Sequence, residues 1–190
     1  GDVEQICPVS EVFLRGAHNL ENVLAATACA LWTGIAAEPL RRAIRLFRGV
    51  EHRIEWLRDL RGVGYYNDSK GTNVASTLKA LESFSEPVIL IAGGRGKGQD
   101  FGPLGAAARG RVRRAILIGE DREKILRCLG PGISTAFAES LEEAVRMARE
   151  SARPGDVVLL SPACASFDMF ENFEHRGAAF KAAVLALGDA

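Results

Sequence analysis

The chain has 190 residues with 24 basic and 24 acidic side chains, so its formal net charge is zero. Hydrophobic residues make up 47% of the chain and charged residues 25%, which excludes a disordered or fibrous protein. The balanced charge argues against binding to nucleic acid or to an anionic membrane surface. A chain of this length can bury a core as one domain, or as one domain with a piece of a second.

The cysteines have neither a CxxC pair nor the cysteine/histidine spacing of a metal site, and three of the four, Cys7, Cys29, Cys128 and Cys164, lie in apolar runs. We expect buried, reduced thiols. The sequence does not open with a charged segment followed by an apolar leader. No apolar run reaches the roughly 18 residues of a membrane span. We therefore expect a cytoplasmic protein with no membrane segment and no metal site in this chain.

Residues 1–50 predict a short strand at 11–16, an alanine-rich helix from Asn19 to Trp32, and a second helix at 38–47. The first helix is apolar nearly all round, a pattern typical of a buried helix. Pro39 suits the first turn of the second helix. Because two helices and one strand make a poor domain, we interpret this region as the end of a larger one.

From residue 51 onward the pattern changes to strands that alternate with helices. We predict a hairpin at 53–60 and 64–67, strands at 87–92, 114–118, 133–137 and 157–160, and helices at 73–84, 101–109, 123–129, 141–152 and 172–187. Short, continuously apolar strands separated by helices imply parallel pairing with helices on both faces. The predicted fold class is α/β, a Rossmann-like, doubly wound and mainly parallel sheet, joined to residues 1–50 by a tight hinge near Val50.

Three polar loops follow predicted strands and precede predicted helices, which is where an open parallel sheet binds ligands. They are NDSKGTN at 67–73, GGRGKGQD at 93–100 and SPACASFD at 161–168. The glycines of the second loop permit an anion to approach backbone N–H groups, and Lys97 adds a full charge. This loop is not the ATP phosphate loop GxxxxGK[ST], because Gly98 follows Lys97 and Ile91 stands at the first glycine position.

Each loop also admits a plainer interpretation. Asp68 or Ser69 could only cap the following helix, a hydroxyl of residues 161–168 could do the same, and Lys97 could be a solvated lysine. Alternatively, Asp68 holds ribose hydroxyls, Lys70 neutralises an anion, and the third loop binds a carboxylate.

The three histidines carry no catalytic signature. His18 could belong to a helix cap, His52 beside Arg53 lies at the domain boundary, and His175 with Arg176 is more typical of a solvated or packing pair. Because nothing fixes a third group relative to any of them, covalent catalysis is not predicted.

The order of the motifs resembles one family throughout. GAHNLEN at 16–22 before an alanine-rich helix, EHR at 51–53 and YNDSKGTN at 66–73 are similar to the Mur ligases. GGRGKGQDF at 93–101, LSPACASFD at 160–168 and NFEHRG at 172–177 resemble the D-glutamate-adding members of that family. The DNPR tetrapeptide of the meso-diaminopimelate-adding members is absent. The resemblance extends from about Gly16 to Leu187.

The resemblance implies an ATP-dependent amide-forming ligase that adds D-glutamate to UDP-N-acetylmuramoyl-L-alanine in peptidoglycan synthesis, through an acyl phosphate and with Mg²⁺. Residues 1–50 would then end the central ATP-binding domain, and residues 51–190 would form the C-terminal domain. Because the phosphate loop, the expected magnesium ligands and a UDP-binding domain are missing from the sequence, we expect the chain to be inactive alone. We also expect it to be monomeric.

The resemblance further implies roles for individual residues. D-glutamate would be bound by Thr72, Lys97, Ser166 and Phe173, with Lys70 and Phe167 in the same pocket. Lys70 is the one candidate for a catalytic role. The nucleotide would be bound by Asn19 and Asn22 on its adenine side and by His52, Arg53 and Asp68 near its ribose and phosphates.

Two competing interpretations stay open. The chain could belong to another Mur-type ligase or to a folylpolyglutamate-type ligase, which also uses glutamate. It could instead be a free-standing domain that binds a ligand or partner without turnover. Binding of D-glutamate, and discrimination between D- and L-glutamate, would separate these interpretations.

Overall fold

The computed structural model describes residues 4–188, and the chain divides into two compact units, Gly1–Val50 and Glu51–Ala190. In the first unit a short 3-10 turn, Val9–Glu11, precedes helices α1 (Ala17–Trp32) and α2 (Ala37–Leu46). The strand predicted at 11–16 is wrong, since residues 12–15 have no regular structure. The described part of the first unit contains no second strand with which residues 12–15 could pair their backbone N–H and C=O groups.

Helix α1 forms where the alanine-rich run predicts it, but none of its residues is buried within the described structure. Its Trp32 is 92% exposed and its Leu24 is 60% exposed. The expectation of a buried helix is therefore wrong for the described residues. The physical reason is that one neighbouring helix, α2, can cover only one side of an apolar cylinder.

The second unit alternates strands and helices, as the sequence predicts. Its elements are β1 (Glu55–Leu60), β2 (Val63–Asn67), α3 (Val74–Glu82), β3 (Val88–Gly93), α4 (Gly102–Ala108), β4 (Val112–Ile118), α5 (Arg122–Leu129), β5 (Ser134–Phe137), α6 (Leu141–Ser151), β6 (Val157–Leu160) and α7 (Phe173–Leu185). The strand order is β1-β2-β6-β3-β4-β5. Only the β1–β2 hairpin is antiparallel, so the predicted α/β class with a mainly parallel sheet is confirmed.

The core lies on both faces of the sheet, which explains the continuously apolar strands. Along β3, Val88, Leu90 and Ala92 face the cluster that includes side chains of α3, α4 and α5. Ile89 and Ile91 face the opposite cluster, which includes side chains of α6 and α7. Each of these strand residues is fully buried. Burial of a large aliphatic side chain contributes about 1.5–3 kcal/mol, so a polar substitution in β3 would destabilise the unit by at least that amount.

The strand order brings three loops together. The chain runs outward from β3 through β4 to β5, and α6 then returns it to β6, which pairs with both β3 and β2. The carboxyl ends of the parallel neighbours β2, β6 and β3 therefore share one edge of the sheet. This reversal of strand order is the position at which open α/β sheets bind ligands.

The cysteines differ in burial. Cys164 is buried, Cys7 and Cys128 are half-buried, and Cys29 on α1 is exposed. The expectation of buried thiols therefore holds for Cys164 alone. Among the helices described, none is long and apolar enough to cross a bilayer.

Candidate functional site

Three loops meet at the carboxyl edge of the sheet: L1 (residues 67–73), L2 (93–100) and L3 (161–168). The side chain of Gln99 in L2 links all three, because it donates to Ala163 O at 2.6 Å and accepts from Val74 N, just after L1, at 2.9 Å. Arg95 of L2 and Ala165 of L3 exchange two backbone hydrogen bonds of 3.0 Å. The loops therefore form one connected surface.

Asp68 of L1 is buried and is held by L3. Its Oδ2 accepts a hydrogen bond of 2.7 Å from Ser161 Oγ, and its Oδ1 accepts one of 3.3 Å from Ile54 N. Ser161 Oγ also lies 3.0 Å from Thr77 Oγ1. Burial raises the pKa of Asp68 to about 7, against the lowering effects of these two hydrogen bonds and of nearby arginines. Asp68 thus joins L1 to L3, which its position in the sequence does not show.

Helix α3 is capped by Asn73, whose side chain accepts from Ser76 N at 2.9 Å. Neither Asp68 nor Ser69 is the cap, so that plainer interpretation of L1 is wrong. Ser161 caps no helix either, because the next helix, α7, has Asn172 at its N-cap.

Lys70 and Phe173, both predicted to bind D-glutamate, lie side by side. The Lys70 ammonium lies 4.7 Å from the centroid of the Phe173 ring, within cation–π range. The Ser69 hydroxyl donates to Phe173 O at 2.8 Å and so fixes L1 on the start of α7. Thr72 is half-buried at the end of the same loop, and its N–H donates to Lys70 O at 2.8 Å.

Lys97 lies exposed at the tip of L2 with a positive φ of 54°. The loop beneath it is anchored by Asp121, whose Oδ2 accepts from Gly96 N at 2.7 Å. A hydrogen bond from Lys124 lowers the pKa of Asp121, so this anchor is charged at neutral pH. Lys97 is therefore solvent-exposed on a loop whose base is held by Asp121.

The two glycines at the start of L2 allow neighbouring chain segments to approach closely. Both have φ values near +126°, a conformation that side chains disfavour. A Cβ at Gly93 would lie 1.9 Å from Ile118 O, and one at Gly94 would lie 2.3 Å from Ala165 O. L2 reaches β4 and L3 only because these positions lack a side chain.

Ser166 and Phe167 of L3 differ in exposure. Ser166 is buried, and its backbone carbonyl accepts from Met169 N and Phe170 N at 3.0 and 2.8 Å. Phe167 is 61% exposed. Ser166 directly follows Ala165, and Lys97 lies two residues after Arg95, so both residues are close in sequence to the backbone pairing between L2 and L3.

His52 is buried against α7, which gives it a packing role. Its Nδ1 lies 3.0 Å from Asn67 Nδ2, and a Cβ at Gly177 would come within 2.2 Å of the same ring nitrogen. His52 and Ile54 both have positive φ, so the turn that carries Arg53 is strained. Arg53 itself is exposed. A nucleotide contact by His52 or Arg53 stays a prediction.

Asn19 and Asn22 lie on α1 in the first unit, three positions apart on one helix face. The Asn19 amide donates to Arg15 O at 2.7 Å, and Asn22 is exposed. Their binding to adenine stays a prediction.

Arg176, which the sequence did not single out as a site residue, is buried rather than solvated and contacts two of the three loops. Its side chain is 1% exposed, and its Nε and Nη2 donate to Ser69 Oγ and Ser69 O at 3.0 and 2.8 Å. Its Nη1 donates to Cys164 O at 3.1 Å. Helical spacing could have revealed it, since Phe180 and Val184 follow it at four-residue steps on the buried face of α7.

Comparison with known proteins identifies the second unit. Residues 52–164 match the family model described as Mur ligase, glutamate ligase domain. A UDP-N-acetylmuramoylalanine–D-glutamate ligase from Thermoanaerobacter sp. (strain X514) is 48% identical over 98% of this chain, and one from Hahella chejuensis (strain KCTC 2396) is 50% identical over 97%. The chain spans 42% of the length of each relative.

Solved structures share the fold at low sequence identity. A UDP-N-acetylmuramate-alanine ligase from Thermotoga maritima matches 91% of this chain and 39% of its own, with a TM-score of 0.68 and 18% identity. A folylpolyglutamate synthase from Mycobacterium tuberculosis matches 90% of this chain and 41% of its own, with a TM-score of 0.64 and 16% identity. Since the family model covers more than half of the residues, the chain belongs to the Mur ligase family.

Proposed function

We propose that this chain is the C-terminal part of an ATP-dependent ligase that adds D-glutamate to UDP-N-acetylmuramoyl-L-alanine for peptidoglycan synthesis in the cytoplasm. The observation that carries the proposal is the convergence of L1, L2 and L3 at the carboxyl ends of three adjacent strands. It places cationic side chains of L1 and L2 and the small polar residues of L3 on one connected surface. Such a surface suits a ligand with two carboxylates.

The choice of D-glutamate is supported by sequence identity. The fold is shared with ligases of several specificities, including folylpolyglutamate synthase, so fold likeness at 16–18% identity does not separate them. Identity of 48–50% over nearly the whole chain is with ligases named for D-glutamate. This identity favours D-glutamate over the folylpolyglutamate alternative.

In this proposal residues of different loops bind the two carboxylates of D-glutamate. Lys97 and Thr72 would hold one carboxylate of D-glutamate, and Ser166 with the backbone near Phe173 would hold the other. Lys70 and Phe167 would line the same pocket, where the cation–π contact already directs Lys70 over Phe173. With both carboxylates of D-glutamate held, its deprotonated amine would attack the carbonyl carbon of the acyl phosphate. The C–N bond would form as inorganic phosphate leaves.

The nucleotide would be bound partly by this chain. Asn19 and Asn22 would contact the adenine side, and Arg53, Asp68 and His52 would lie near the ribose and phosphates. Among residues 4–188 no group of three histidine, cysteine or acidic side chains could hold a metal ion. The proposal therefore assigns no Mg²⁺ ligand and no step of phosphoryl transfer to these residues.

The test uses the complete ligase that carries this chain, with ATP, Mg²⁺, UDP-N-acetylmuramoyl-L-alanine and D-glutamate. Lys97→Met should raise the KM for D-glutamate at least about tenfold and leave the KM for ATP nearly unchanged, because one carboxylate loses its cation. Lys79→Met, which changes an exposed lysine of α3, is the matched control. Turnover with L-glutamate on a folate, and none with D-glutamate, would contradict the proposal. The chain alone should release no phosphate.

A further inference from the structure

The buried guanidinium of Arg176 connects two of the three loops. Through Nε and Nη2 it holds Ser69 of L1, and through Nη1 it holds the Cys164 carbonyl of L3. Lys70 follows the first anchor directly, and Ser166 lies two residues beyond the second. Arg176 therefore contributes, beside Gln99 and the Asp68–Ser161 hydrogen bond, to the relative position of residues on opposite sides of the acceptor site.

Within the described part of the chain Arg176 forms no ion pair, although it is 1% exposed. Asp168 and Asp68 act on it through space and raise its pKa against the effect of burial, but neither lies within ion-pair distance of the guanidinium. Asp68 accepts from Ser161 and Ile54, and Asp168 Oδ2 accepts from Glu120 N at 2.8 Å. A buried charge is costly without a counter-charge, so a fold that keeps one has a use for it.

The charge persists at neutral pH. Burial lowers the pKa of Arg176, but only to about 10. Three of the five N–H groups of the guanidinium donate to L1 and L3, and the other two have no acceptor among residues 4–188. The side chain can therefore order the loops and still present positive potential and free donors.

We propose that Arg176 is the positioning residue of the acceptor site, which sets L1 against L3 and supplies the unpaired positive charge that draws a carboxylate of D-glutamate between them. The inference rests on the proposed function and adds to it a residue in α7, outside all three loops. Neutral hydrogen bonds alone would connect the loops without favouring an anion. Because the guanidinium is itself buried, its charge is weakly screened and acts on the neighbouring acceptor site even without contact.

The test compares Arg176→Met and Arg176→Lys in the complete ligase. Methionine removes both the charge and the donors, whereas lysine keeps the charge but cannot bridge Ser69 and Cys164 with a planar fork. Arg176→Met should raise the KM for D-glutamate at least about tenfold. The KM for ATP should change by less than about twofold. The KM for D-glutamate of Arg176→Lys should be at least about threefold lower than that of Arg176→Met.

Arg113→Met is the matched control, because Arg113 is also partly buried and donates to a backbone carbonyl, Ser151 O at 2.5 Å, at the opposite end of the sheet. It should lower the melting temperature and leave both KM values unchanged. Unchanged KM values for D-glutamate in both Arg176 variants would overturn the inference. If Arg176→Met does not fold, Arg176→Gln, which also removes the charge, takes its place, and an unchanged KM for D-glutamate in that variant overturns the inference. A wild-type ligase that does not use D-glutamate overturns the proposed function instead.

Discussion

The buried carboxyl of Asp68 makes the stability of the second unit depend on pH. Burial raises its pKa from 3.8 to about 7, so between these values the folded unit binds a proton that the unfolded chain has released. Its stabilising contribution is therefore complete below about pH 4 and is lost as pH rises through about 7. The separation of the two pKa values corresponds to roughly 4 kcal/mol, of which roughly 2–3 kcal/mol falls between pH 5 and pH 8.

Asp68→Asn should remove this pH dependence. The amide can still accept from Ile54 N and can donate to Ser161 Oγ, whose own proton then goes to Thr77 Oγ1, 3.0 Å away. Asparagine therefore imitates the protonated acid at every pH. Relative to the wild type, the variant should gain roughly 2–3 kcal/mol of stability on going from pH 5 to pH 8.

Urea unfolding at several pH values measures the difference. The chain has two tryptophans, and Trp32→Phe leaves Trp56 on β1 as the reporter of the second unit. Asp59→Asn, at an exposed position of the same strand, controls for the loss of one carboxylate. A stability difference between wild type and Asp68→Asn that stays within about 0.5 kcal/mol from pH 5 to pH 8 would refute the reasoning.

Three further predictions concern single contacts. Asn73→Ala, which removes the cap of α3, should cost about 1 kcal/mol in urea unfolding, and no loss would argue against the cap. Gly93→Ala should cost at least about 3 kcal/mol or prevent folding, since its Cβ would lie 1.9 Å from Ile118 O at φ +127°; a folded variant of normal melting temperature would contradict this clash. Burial raises the pKa of Cys164 to about 12, so maleimide should label exposed Cys29 in the native chain and Cys164 only in denaturant; equal labelling rates would refute this.

Local patterns predicted most of the second unit. Continuously apolar strands such as β3 and β6 are recognisable because burial on both faces removes polar alternation. Helices between them follow from spacing and capping residues, although Asn73 rather than Asp68 or Ser69 caps α3. The same reasoning failed in the first unit, where composition predicts a buried helix but only tertiary neighbours can bury it.

The candidate site was predictable only as three separate loops. Their order along the chain and their place after strands indicate one sheet edge, and the resemblance suggests which residues bind ligand. Nothing in the sequence shows that Gln99 joins all three loops or that Asp121 anchors L2, because both are common residues in ordinary loops.

The sequence by itself determined the α/β class, the strands and the polar loops, because periodicity and turn chemistry act over a few residues. Only the tertiary structure decided which ionisable side chains in and around those loops are buried. Asp68 meets Ser161 across 93 residues of chain, and Arg176 meets Ser69 across 107. Such pairs are made by the order of strands in the sheet, and desolvation, which shifts their pKa values, exists only once that order is complete.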